Sequence, residues 1–122
     1  MEQTIIISNI NELVRIKAER IVYIISDGNY STLTLHDRSE HVCTFNLSRM
    51  QKILETQLQK EASQFIRIGK SLIINKNYIY KINLSKQTLT LSDIKICGSF
   101  TLSASKEALK QLKNYLESDI EL

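Results

Sequence analysis

Proline is absent from the 122 residues, and glycine occurs only at positions 28, 69 and 98. Without proline there is no stiff spacer of the kind that separates domains, and no low-complexity stretch or repeat replaces one. Three scattered glycines cannot build the phosphate-cradling loops GxGxxG or GxxxxGK[ST], and no GxSxG elbow is present. Long apolar runs are missing too. The longest, Ile21 to Ile25, has five residues, against ~20 for a membrane span. The start Met1-Glu2-Gln3-Thr4 has neither the basic opening nor the apolar stretch of a secretory signal, so a cytoplasmic location is expected. The two cysteines, Cys43 and Cys97, form no metal-ligand spacing and sit in apolar stretches, which reads as buried free thiols. A disulfide is not expected in a reducing compartment. His36 and His41 flank one turn without a third ligand, and no metal or cofactor is expected. Asp37 and Glu40 of the same turn read as solvated. Ser71 follows Lys70, but neighbours on a strand point to opposite faces, so they make no activated nucleophile. The chain is therefore read as a non-enzyme.

The net charge of +3 is modest, but its distribution is uneven. Residues 65–95 carry Arg67, Lys70, Lys76, Lys81, Lys86 and Lys95 against Asp93 alone, and the flanking segments are each slightly acidic. Such a patch favours a phosphate backbone through Coulomb attraction and counterion release. A solvated basic face without a partner has the same composition, so charge alone leaves both readings open.

At 122 residues the chain fits one domain with its own core. Thr4–Ile7 and Leu13–Ile16 read as short strands, and Ala18-Glu19-Arg20 as one helical turn. Ile21–Ile25 is a strand ending in the turn chemistry of Ser26-Asp27-Gly28-Asn29. Tyr30–Leu35 alternates, with Leu33 and Leu35 on one face and Thr32 and Thr34 on the other. After the polar turn His36–Ser39, Val42–Phe45 is expected to pair back as a hairpin. Leu47, Met50, Ile53, Leu54 and Leu58 recur at helical steps, with Asn46 or Ser48 as the cap. Further strands are expected at Phe65–Ile68, Leu72–Ile74, Tyr78–Ile82, Thr88–Leu91, Ile94–Ile96 and Phe100–Leu102, with a turn at Ser85–Gln87. A final helix beginning near Ser105 carries Ala108, Leu109, Leu112, Tyr115 and Leu116 on one face, and Asp119–Leu122 frays. The pattern is mainly β with two helices.

Three blocks of residues carry a family resemblance. Phe65-Ile66-Arg67-Ile68-Gly69-Lys70-Ser71-Leu72-Ile73-Ile74-Asn75 resembles the F-x-R-x-H-[RKN]-S-x-[IV]-V-N signature of the LytTR DNA-binding family, and Tyr78–Ile82 supplies the strand that follows it. Ile21–Tyr30 is similar to the family's opening strand with its D-G-N-Y turn. Phe100–Lys106 followed by Leu109 is similar to its closing segment. The blocks are in the family's order, and the resemblance covers about residues 12–116, within one domain spanning 1–122.

The resemblance implies stacked short antiparallel sheets and sequence-specific binding to double-stranded DNA. It implies a transcription regulator or its output domain, of the kind found in LytR/AlgR-like two-component response regulators of bacteria. It places base contacts in the major groove on Asn29, Tyr30 and Ser31, on Lys70 and on Lys106. A lysine near guanine O6 and N7 is a common major-groove contact. Arg67, Lys76 and Lys81 are expected on phosphates, setting register without reading sequence. Arg67 could instead pair with an acid across the sheet. Asn75 is expected to hold its turn, Ser71 to bond its own loop, Ser105 to cap the last helix, and Tyr23 and Tyr80 to lie in the core. Gly69 replaces the family's frequent His and Lys106 its commoner Arg, and lysine lacks the planar fork of arginine. Relatives commonly bind paired direct repeats, which implies two copies on one site. The alternative is a non-catalytic protein-interaction module that kept the fold and lost DNA binding.

Overall fold

The computed structural model describes residues 3–94 and 98–118. Two strands open it, β1 (Thr4–Ser8) and β2 (Leu13–Lys17), followed by a 3-10 turn at Ala18–Arg20. Then come β3 (Ile21–Asp27), β4 (Tyr30–Leu35), β5 (Glu40–Cys43) and the helix α1 (Leu47–Leu58). A 3-10 segment, Gln59–Gln64, leads into β6 (Phe65–Ile68) and β7 (Leu72–Asn75). Another, Lys76–Tyr78, leads into β8 (Ile79–Asn83), β9 (Thr88–Leu91), β10 (Phe100–Ser103) and the helix α2 (Lys106–Glu117). The strands form three antiparallel sheets: β1-β2, β5-β4-β3-β7-β6 and β10-β9-β8.

The five-stranded sheet separates two apolar cores. On one face Ile24, Leu33, Leu35, Cys43 and Ile73 meet Leu47, Met50, Leu54 and Leu58 of α1 and Ile5, Ile7 and Ile16 of the β1-β2 hairpin. On the other face Val22, Ile68, Leu72 and Ile74 meet Leu89, Leu91 and Phe100 of the three-stranded sheet and Leu109 and Leu112 of α2. The alternation along β7 explains this division: Ile73 enters the first core, and its neighbours Leu72 and Ile74 enter the second. Fully burying one such side chain stabilises the fold by about 1.5–3 kcal/mol.

Both helices are stopped at their N-termini by side chains. Asn46 Oδ1 accepts from Arg49 N at 2.8 Å, and Ser105 Oγ accepts from Ala108 N at 3.1 Å. Of the two expected caps for α1, Asn46 is the one used.

Thr34 lies on the face opposite Leu33 and Leu35, as expected, and that face is covered: Thr34 is 3% exposed, and its cross-strand neighbour Tyr23 packs edge-on against Phe100. Two expectations change. Tyr80 is 73% exposed rather than in the core. The β8-β9 register shifts between Ile79 and Lys81, leaving Tyr80 as the extra residue of a bulge and turning it outward. Ile94 lies in a turn, exposed, and not in a strand. The rest of the expected strand 94–96, the thiol of Cys97 and the expected fraying at 119–122 fall outside the described residues.

Candidate nucleic-acid interface

The turn between β3 and β4 and the turn between β6 and β7 lie at the same end of the five-stranded sheet. Antiparallel pairing sets Ile25 of β3 opposite Leu72 of β7. One step further, Ser26 N donates to Ser71 O at 2.8 Å, tying the turns together. Asn29 and Tyr30 project from the first turn, and Tyr30 is 55% exposed. Gly69, Lys70 and Ser71 form the second and are all exposed. Gly69 has φ +62°, a left-handed conformation that glycine adopts without steric cost, and open space surrounds the position its missing side chain would take. The residue that departs from the family's frequent His is therefore the one that lets the chain reverse and present Lys70.

Ser31 does not join this surface. It is 0% exposed, and its hydroxyl donates to Phe45 O at 2.7 Å. Pairing of β4 with β5 puts Cys43 directly across from Ser31, so the side chain points into the layer beneath the turn. Its hydroxyl ties down the β5–α1 connection under Tyr30, and its side chain is closed off from the surface. Burial also pushes the Cys43 thiol up to about 11, which keeps it protonated and inert.

Lys106 is the first residue of α2 and is exposed. A cation there gains nothing from the helix dipole, which favours anions at an N-terminus. Helix stability therefore does not account for it, whereas the same N-terminus is suited to a phosphate. Ala108, two residues on, and Gly69 line one cleft of about 180 Å³, together with Ile66, Ile68, Gln111, Leu112 and Tyr115. The first turn of α2 and the Lys70 turn therefore border the same depression.

The remaining expected contacts divide. Lys81 is exposed on β8, which runs toward the β8-β9 turn. That turn lies beside the start of α2, because Ala104 N donates to Gln87 O at 3.3 Å. Lys86, part of the basic segment 65–95, is exposed on this turn and therefore stands near the start of α2. Lys76 goes elsewhere. It follows β7, and the full strand separates it from Lys70, roughly 20 Å at an extended rise of ~3.3 Å per residue. Arg67 is exposed but its partners are neutral oxygens, not an acid: Nη1 donates to Ser48 Oγ and Gln51 Oε1, each at 3.1 Å, and Nη2 to Lys70 O at 3.2 Å. Arg49, another exposed cation, in the first turn of α1, lies over the Phe45 ring at 4.9 Å. No motif points to it; the β5–α1 connection, held by Ser31, and the Arg67 bonds place the first turn of α1 at this end.

At the far end of the sheet the polar groups turn inward. Asn75 is 0% exposed, with Nδ2 donating to Ile21 O at 3.0 Å and to Gln64 Oε1 at 3.3 Å, and Oδ1 accepting from Asn77 N at 3.0 Å. Asn75 holds its turn, as expected. The Tyr78 hydroxyl donates to Glu19 O, and burial raises its pKa. Ser71 contributes through its backbone carbonyl to Ser26. Ser105 is the cap of α2.

None of the described helices is long and apolar enough to cross a membrane. The sequence model of the LytTr DNA-binding domain matches residues 11–117. A search of curated protein sequences gives no match. Among solved structures, the chain is similar to the LytTr DNA-binding domain of a Bacillus cereus protein described as a methyl-accepting/DNA response regulator. The TM-score is 0.61 at 16% identity, covering 95% of this chain and 98% of that one, a likeness of fold. With nearly all of its strands and both helices inside the matched range, the chain belongs to the LytTR family of DNA-binding domains.

Proposed function

We propose that the chain binds double-stranded DNA sequence-specifically, with its turns in the major groove, as the output module of a cytoplasmic transcription regulator. One observation carries this most: Lys70 stands on an outward glycine turn, bonded to the β3-β4 turn that presents Asn29 and Tyr30, and Gly69 of that turn shares a cleft with Ala108 in the first turn of α2, the turn that Lys106 opens. Lys70 and Lys106 are the base readers, each able to approach guanine O6 and N7. Asn29 supplies an amide for adenine, and Tyr30 packs against the backbone beside it. Lys81, Lys86 and Arg49 neutralise phosphates around these turns. Lys76, at the far end of β7, is left out of the surface. Two copies bind in tandem on direct repeats, as the family resemblance implies.

Titration against random and selected duplexes over a range of salt concentrations tests this. The log of the binding constant should fall linearly with log salt, with a slope near −0.9 for each phosphate neutralised. A selected site with paired repeats should take up two copies. Absence of salt-dependent binding to any duplex would instead favour a protein-interaction module on this fold.

A further inference from the structure

Lys70 occupies a three-residue turn whose glycine leaves it free to reorient, yet base reading needs a defined starting position. Two bonds hold the backbone there. Ser26 N fixes the carbonyl of Ser71, and the guanidinium of Arg67 fixes the carbonyl of Lys70 itself. The same guanidinium reaches Ser48 Oγ and Gln51 Oε1 on α1. Three of its five N–H donors are thus used, across a planar fork that cannot swing to a phosphate without releasing them. Its acceptors are neutral, so the charge of Arg67 remains while its geometry is committed.

We propose that Arg67 is a positioning residue, which clamps the Lys70 turn to the first turn of α1, and not a direct phosphate contact. The clamp fixes the turn before DNA arrives, so the ordering cost of the base-reading side chain is met in the free protein. This inference rests on the DNA-binding reading for its consequence, but the clamp itself exists without DNA.

Three variants separate the roles: Arg67→Ala, Arg67→Lys and the double variant Ser48→Ala/Gln51→Ala, which removes the α1 acceptors and keeps the charge. In the free protein, backbone 15N order parameters at Gly69 and Lys70 should drop from about 0.85 toward 0.6 or lower in all three. With DNA, discrimination between a selected site and random duplex should fall roughly five- to tenfold, the size expected for ordering a loop side chain on binding. The salt slope on random duplex should stay unchanged in Arg67→Ala. Lysine should not rescue, because its single nitrogen cannot span acceptors that two separate guanidinium nitrogens reach. The clamp is overturned if the order parameters stay high, or if Arg67→Ala lowers the salt slope by about 0.9 with the turn still rigid, the mark of a lost phosphate contact. If the wild-type chain binds no DNA at all, the functional reading fails, and the order parameters alone decide the clamp.

Discussion

The two ends of the five-stranded sheet handle polar residues in opposite ways. At the Lys70 end the backbone makes the bonds: Ser26 N to Ser71 O, and Lys70 O to Arg67. The side chains of Asn29, Tyr30 and Lys70 are left exposed there, above the buried Ser31. At the Asn75 end the side chains make the bonds, with the Asn75 amide reaching Ile21 O, Gln64 and Asn77 N, and the Tyr78 hydroxyl reaching Glu19 O. One strand, β7, joins the two ends. Substitutions at one end should therefore change binding, and at the other end stability.

The largest expected effect breaks the Asn75 end. Asn75→Ala leaves the Ile21 carbonyl and the Asn77 amide without their buried partner and should cost about 2–3 kcal/mol of stability. Urea unfolding measures it, and a change below ~0.5 kcal/mol would remove the contrast. Lys70→Ala should do the reverse, losing about 1–3 kcal/mol of specific DNA binding and relaxing preference at one base position, with the unfolding midpoint unchanged. Equal loss on all sequences would assign Lys70 to a phosphate. Ser105→Ala removes the cap beneath Lys106 and should cost about 1 kcal/mol of stability, with a smaller loss of binding. The smallest effect concerns the layer under the exposed turn. Cys43 opposes buried Ser31, and its raised pKa keeps it a thiol in the folded state. Alkylation at pH 8 should be slow when folded, fast in denaturant, and the same with or without DNA. Because the folded pKa lies above the unfolded one, the stability linked to this thiol is present below about pH 9 and lost as pH rises toward about 11.

Much of the fold was legible in the sequence because short-range patterns carried it. The stripe of Leu47, Met50, Leu54 and Leu58 gave α1, and Ser105 was readable as a cap from its place before a second such stripe. What stayed hidden depended on neighbours far along the chain. Ser31 looked like a turn residue beside Tyr30, and its burial follows only from β5 pairing across it. The partners of Arg67 on α1 lie 16 and 19 residues earlier, and no periodicity marks them. Tyr80 was turned outward by a one-residue bulge, which reverses the alternation it seemed to follow. The turn carrying Lys86 lies beside the start of α2 only because β10 returns alongside β9.

Amide hydrogen exchange with and without a selected duplex tests most directly that the Lys70 end is the binding face. The account predicts added protection at residues 28–30, 69–71 and 105–108, with none at residues 75–78. Protection centred on residues 75–78, or spread evenly over both ends, would contradict it.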